Sequence, residues 1–166
     1  MIVRVRQEKS GDARLVAYVV ACDGELPTVS AMRRHIQAKL PHYMVPSAYV
    51  IMDALPLAPN GKIHLKALPA PGRGRPRLDV PFAPPRTPVE RAVTEIWAQV
   101  LGLDELGVDD EFVDLGGNSL MATQVASRVL DRFKIGVPAE QMLSAATAGE
   151  MALRVTQALA DRGAPP

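Results

Sequence analysis

The sequence predicts a small α+β subdomain joined by a Pro-rich linker to an all-α four-helix bundle. Three observations carry that expectation. Seven prolines fall among the twenty residues from Pro69 to Pro88. Before them, short apolar runs rich in β-branched residues accompany one helical stripe; after them, only helical periodicity remains. The charge also changes sign: residues 1–88 hold 13 Lys/Arg against 6 Asp/Glu, and residues 89–166 hold 6 against 12. Such a split suits two modules with different electrostatic partners or a weak attraction for each other. The expected boundaries are 1–68, 69–87 and 88–166.

In the first module, Ile2, Val3 and Val5 suggest a strand, and Leu15 to Ala21 a mostly buried one. Thr28 is a suitable N-cap for a helix in which Val29, Met32, Ile36 and Leu40 make an apolar stripe ended by Pro41. Met32, Tyr43 and Met44 read as packing residues rather than a cofactor box. Ala48 to Met52 is a short strand, and Asn60-Gly61 marks a tight turn just before Lys62. The stretch 69–87 holds Arg73, Arg75 and Arg77 among its prolines, which fix φ and remove amide donors, so it is expected to behave as an extended tether. Leu78 and Phe82 are the residues able to pin it to a surface.

The second module opens with Thr87-Pro88-Val89-Glu90, the residue types of a capping box with proline at the first helical position. Val89, Ala92, Val93, Ile96, Trp97, Val100 and Leu101 then share one face, with Trp97 as core anchor. A second helix is expected from about Leu120 to Phe133, with Val125, Val129 and Phe133 inward, and a short segment near Ala139 to Leu143. Thr147 to Glu150 repeats the capping-box spacing ahead of Met151, Val155 and Leu159.

Several function classes lose support from composition. No run approaches the roughly 18 apolar residues that cross a bilayer, and Met-Ile-Val-Arg-Val-Arg is not the start of a secretory signal. A cytoplasmic location and no membrane partner are therefore expected. The single cysteine, Cys22, permits no internal disulfide and reads as structural. Nucleic-acid binding through Arg73, Arg75 and Arg77 is not expected: the tract is short, aromatics do not interleave with it, and the second half is acidic.

Asp114-Leu115-Gly116-Gly117-Asn118-Ser119-Leu120 is the most informative segment. The two glycines permit a sharp turn, after which Asn118 or Ser119 can cap a helix and leave the serine at its exposed entrance. A helix N-terminus offers amides and partial positive charge to a phosphate. A loop and cap with no further role would use the same residues. A catalytic serine is disfavoured because no histidine lies in residues 88–166 to act as base. A nucleophile elbow needs Gly-x-Ser-x-Gly, and a P-loop needs Lys-Ser/Thr after a wider spacing. The acidic group Asp104, Glu105, Asp109, Asp110, Glu111 and Asp114 reads either as a solvated loop or as a guide for basic partner surfaces.

At these residues the sequence resembles the peptidyl or acyl carrier family, in particular the thiolation domains of nonribosomal peptide synthetases. Phe112, Asp114, Leu115, Gly116, Gly117, Ser119 and Leu120 fall on recognisable positions of its attachment motif, and the likeness spans about residues 88–160. The resemblance implies an acyl-carrier-like bundle. It implies that Ser119 receives 4′-phosphopantetheine from coenzyme A through a separate phosphopantetheinyl transferase, and that the arm's thiol then holds an aminoacyl or peptidyl thioester. Condensation, tailoring or thioesterase domains are the further partners it implies. Ala146 stands where the family often has proline. The competing reading is a non-catalytic interaction module without covalent modification.

Leu40-Pro41-His42-Tyr43-Met44-Val45-Pro46 and Leu55-Pro56-Leu57-Ala58-Pro59-Asn60-Gly61-Lys62 are similar to the close of the C-terminal subdomain of amino-acid adenylation domains. Leu68-Pro69-Ala70-Pro71 is similar to the tether motif that follows. The likeness covers roughly residues 1–71. It implies that Lys62 contacts charge developing near the substrate carboxylate and the ATP α-phosphate, with the large adenylation subdomain as its partner in cis. His64-Leu65 departs from the family's common Asp-Arg pair; His64 reads as a surface or packing residue. ATP and Mg2+ are expected only in the complete adenylation domain, and no metal site in this chain. These residues alone are expected not to activate an amino acid.

Overall fold

The computed structural model describes residues 1–7, 13–21, 26–135, 140 and 144–163. The chain divides into two compact units, Met1–Gly72 and Arg73–Pro166. Cys22 lies outside the described residues.

The first unit holds a three-stranded sheet in the order β1 (Ile2–Gln7), β2 (Ala13–Val20), β3 (Ala48–Met52). β1 runs antiparallel to β2, pairing Ile2 with Tyr18 and Gln7 with Ala13; β2 runs parallel to β3, pairing Val16 with Ala48 and Val20 with Met52. A parallel pair needs a crossover connection, and α1 (Val29–Gln37) lies within it. Thr28 caps α1 by accepting from the Ala31 amide at 3.1 Å. The apolar stripe stops at Ile36: α1 ends at Gln37, before Pro41, and Leu40 lies exposed beyond it. Tyr43 and Met44 are also exposed, in a single 3-10 turn.

Strand β1 reverses the orientation its hydrophobic residues suggest. Val3 and Val5 are 42% and 61% exposed, while Arg4 and Arg6 are half-buried. Register explains this, because Arg4 stands opposite Val16 and Ile2 opposite Tyr18, on the core face of β2. Val16, Tyr18 and Leu68 form that core, with Ala48, Val50, Met52 and Leu55 packed around them. The chain at 65–69 brings carbonyls there that need donors. Arg6 Nη1 lies 2.7 Å from the Pro69 oxygen, 3.0 Å from that of Leu68 and 2.7 Å from the Tyr18 hydroxyl, which itself donates to Pro69 at 2.9 Å. Arg4 Nη1 donates to the Leu65 carbonyl at 2.9 Å.

The second unit contains the helices α2 (Pro88–Leu101), α3 (Ser119–Phe133) and α4 (Ala148–Gly163). α2 opens on a complete capping box: Thr87 Oγ1 accepts from the Glu90 amide at 3.0 Å, and Glu90 Oε2 accepts from the Thr87 amide at 3.1 Å. Trp97 is 1% exposed; its ring meets that of Phe112 edge-on with centroids 4.8 Å apart, and its Nε1 donates to Met151 Sδ at 3.3 Å. Val93, Val125, Val129 and Val155 complete the centre of the core, while Phe133 is only half-buried. Of the short segment expected at 139–143, only Glu140 is among the described residues; its carbonyl accepts from the Ser144 amide at 3.0 Å. Among the described residues, no helix is long and apolar enough to cross a membrane.

The Pro-rich stretch divides between the units. Residues 73–87 fall in the second, where Leu78 is buried and Arg75 forms an ion pair with Asp110. Prolines keep this segment out of helix and sheet, yet its polar groups find partners on the α2–α3 loop, so it lies against the bundle where an extended tether was expected.

Candidate functional site

The loop between α2 and α3 positions Ser119. Its course is fixed at the α4 end, where the Phe112 amide donates to the Ala146 carbonyl at 2.9 Å and the Gly149 amide to the Val108 carbonyl at 2.8 Å. The chain then turns through Glu111–Gly117: the Asp114 and Leu115 amides donate to the Glu111 carbonyl, Gly116 to Val113, and Gly117 to Phe112 at 2.9 Å. Gly117 rests on the Phe112 ring so closely that a Cβ there would lie 2.3 Å from Cε1. Any other residue here would force the ring and the turn apart, so glycine is the residue that allows this close approach. Sequence patterning ties Trp97 to the core but not to this turn. In the structure, Trp97, Phe112 and Gly117 form one stack ending two residues before Ser119.

Asn118 is the cap of α3, its Oδ1 accepting from the Met121 amide at 3.0 Å. The Ser119 hydroxyl is thus not spent on capping. Ser119 is the first helical residue and exposed, and Leu120 beside it is 59% exposed. An accessible hydroxyl at the N-terminus of a fifteen-residue helix fits a phosphodiester: the side chain offers the bonding oxygen, and the helix end favours the negative charge left on the phosphate. Leu115 is buried within the turn and Asp114 half-buried.

The acidic group separates into two environments. Asp104, Glu105, Asp109 and Glu111 are exposed. Asp110 has no exposed surface and is held by Arg75; it is a structural residue, contrary to its reading with the others as solvent-facing charge. Its hydrogen bond raises the Arg75 pKa, outweighing desolvation. The alternating signs of Arg75 and Asp110 across two loops leave no periodic pattern, so sequence reasoning passes over the pair.

Lys62 belongs to the first unit and is exposed at the end of a small hairpin turn. The Ala58 amide donates to the Lys62 carbonyl at 2.7 Å, the Lys62 amide to Asn60 Oδ1 at 3.1 Å, and Gly61 takes φ +75°. Leu57 bridges Ile63, and the His64 amide donates to the Pro56 carbonyl at 2.7 Å. The exposed His64 precedes the 3-10 turn Leu65–Ala67 without capping it through its side chain. The turn therefore presents Lys62 outward with its backbone fixed on both sides.

Comparison with known proteins matches each unit. Residues 1–62 match the family described as AMP-binding enzyme C-terminal domain, and residues 91–155 that described as phosphopantetheine attachment site. A linear gramicidin synthase of Brevibacillus parabrevis is 45% identical over 138 residues, covering 83% of this chain and 2% of the relative. The dimodular nonribosomal peptide synthase of Bacillus subtilis (strain 168) is 50% identical over 127 residues, covering 76% and 5%. A solved four-domain nonribosomal peptide synthetase, bound to AMP and glycine, is 28% identical over 94% of this chain and 11% of its own, with a TM-score of 0.45. The chain thus spans a small fraction of these relatives' lengths. By its two family matches in this order, the chain belongs to the nonribosomal peptide synthetases, joining the C-terminal part of an adenylation domain to a peptidyl carrier domain that takes 4′-phosphopantetheine.

Proposed function

We propose that Ser119 is the residue that carries the prosthetic arm. The observation that supports this is its hydroxyl, exposed at the first position of α3 and left out of the cap by Asn118, inside the segment that matches the attachment family. A phosphopantetheinyl transferase forms the bond from Ser119 Oγ to phosphorus as the phosphoanhydride of coenzyme A breaks, so that adenosine 3′,5′-bisphosphate leaves and the serine gives up its hydroxyl proton. When bound, the arm supplies a thiol for an aminoacyl or peptidyl thioester. The chain's own residues hold the hydroxyl outward, on a turn that Phe112 and Gly117 keep in place. Choice of the acid then lies with partner domains: the large adenylation subdomain in cis, and condensation, tailoring or thioesterase domains. Incubation with coenzyme A and a broad-specificity transferase should add one phosphopantetheine to the wild type and none to Ser119→Ala, read by intact mass. No serine-dependent addition overturns the assignment.

Lys62 is proposed to act only with the large adenylation subdomain, where its ammonium would face charge developing at the acyl carboxylate and the ATP α-phosphate. ATP and Mg2+ belong to that complete site. Its exposed position on a fixed turn supports this role. Aminoacyl-adenylate formation by a complete parent synthetase should fall sharply on Lys62→Ala, and an unchanged rate refutes the role.

A further inference from the structure

Residues 73–87 are fastened to the carrier domain at three places. The guanidinium of Arg75 forks onto Asp110, donating from Nε to Oδ2 at 2.7 Å and from Nη2 to Oδ1 at 2.6 Å. This two-bond geometry gives arginine its advantage over lysine at a carboxylate. Asp110 Oδ2 also accepts from the Gly107 amide at 2.8 Å. Arg75 Nη2 further donates to the Val80 carbonyl at 2.8 Å, and the guanidinium stands 5.7 Å from the centre of the Phe82 ring, so one side chain also gathers its own segment.

The second fastening is backbone to backbone: the Val108 amide donates to the Ala83 carbonyl at 2.9 Å. Gly107 permits this approach, since a Cβ there would lie 3.1 Å from the Ala83 nitrogen. The third is at Arg73, whose carbonyl accepts from the Asp104 amide at 2.8 Å and whose Nε pairs with the Asp104 carboxylate at 3.2 Å. That last ion pair is exposed and contributes little. The Arg75 pair differs, because Asp110 has no exposed surface and no other described cation to neutralise it.

On the other side, Leu68 is buried in the first unit and the Pro69 carbonyl accepts from Arg6 and Tyr18. Only Ala70, Pro71 and Gly72 separate these two sets of anchors. We propose that Arg75 and Asp110 form a clasp that makes residues 73–87 move as part of the carrier, so that the carrier swings on the joint Ala70–Gly72. At ~3.3–3.6 Å per residue, the four steps from Pro69 to Arg73 span at most about 14 Å, whereas the nineteen from Pro69 to Pro88 would span about 65 Å. With the clasp shut, visits to different partners are made by rotating a rigid body about a short joint. Release of the segment at all three fastenings, which loss of the clasp favours, adds about 50 Å of chain. This goes beyond the loading of Ser119 and does not depend on it.

Trypsin applied to the full chain tests the clasp at the Arg77–Leu78 bond, where Leu78 is buried; Arg75–Pro76 is a poor substrate because proline follows the arginine. Removing one partner of a buried pair is strongly destabilising, so Arg75→Ala and Asp110→Asn should each speed cleavage at Arg77 by about a hundredfold. Arg75→Lys, which keeps the charge and loses the fork, should fall between. Cuts at Arg91 and Arg128, inside α2 and α3, should lag. Equal Arg77 rates in wild type and variants overturn the proposal, and so does cleavage at Arg91 and Arg128 rising in parallel, because the pair would then hold the bundle and not the segment. Hydrogen exchange on the wild type gives a reading free of any substitution: the Asp104 and Val108 amides, donors to Arg73 and Ala83, should be protected. Free-peptide exchange at both sinks the idea.

Discussion

Gly117→Ala isolates the contact that seats the attachment turn. The new methyl would lie 2.3, 2.4 and 2.7 Å from Cε1, Cδ1 and Cζ of Phe112. Carbon atoms settle at about 3.5–4.0 Å, so ring and turn must separate by roughly 1.2 Å or more. The ring has little room to move, being buried and set edge-on against Trp97 at 4.8 Å. Gly117 does not have positive φ, so alanine would otherwise stabilise by about 0.4–1 kcal/mol through the unfolded chain. Overpacking of this kind costs about 1–3 kcal/mol, so the net effect is destabilisation. The chain's single tryptophan, Trp97, lies in the second unit and reports its unfolding. For a unit of this size each kcal/mol moves Tm by roughly 4–8 °C. In a Phe112→Ala background the same substitution meets open space, and its penalty should vanish, with a coupling above about 1 kcal/mol. A Gly117→Ala Tm equal to or above that of the wild type, or additive penalties in the double variant, would refute the seating argument.

Three further substitutions follow from individual contacts. Asn118→Ala should cost the second unit about 0.5–2 kcal/mol in the Trp97 transition through loss of the cap on Met121, while Asn118→Asp, which keeps the acceptor, should cost far less. Glu150→Ala should cost about 0.5–1 kcal/mol by freeing the Ala146 amide; after Ala146→Pro, which removes that N–H, the Glu150 penalty should disappear, and its persistence in thermal melts would show that the bond is not its source. Arg6→Ala should destabilise the first unit by about 1–3 kcal/mol, since the Leu68 and Pro69 carbonyls lose a shared donor. Circular dichroism should then show an earlier sheet transition with the Trp97 signal unmoved.

Elements set by local chemistry were legible in the sequence. Thr28, Thr87 and Thr147 announce helix starts because capping depends on residues three apart, and the α2 face follows from its period alone. Asn60-Gly61 signals its turn for the same reason. The site segment was recognisable through its glycines and serine, although sequence left the cap open between Asn118 and Ser119; the two neighbours have similar capping chemistry, and only backbone geometry chooses. What escaped depends on residues far apart in the chain. Val3 and Val5 look like core residues until the register with β2 turns Arg4 and Arg6 inward. Arg75 looks like one of three loose arginines until Asp110, thirty-five positions later, accepts it. Composition marks residues 69–87 as unable to form regular structure, but it carries no information about which surface such a segment lies upon.

The burial of Asp110 bears on how synthetase modules are exchanged. A hybrid joined at Pro88, where helical periodicity begins, would bring in a carboxylate shaped for an arginine left behind on the discarded side. Unless the recipient's own linker supplies a guanidinium at the same place, the graft would house an unneutralised buried charge within the loop that presents Ser119. A seam within Ala70–Gly72 keeps both halves of the pair with the same donor, and crosses the chain between the Pro69 anchor of one unit and the Arg73 anchor of the other.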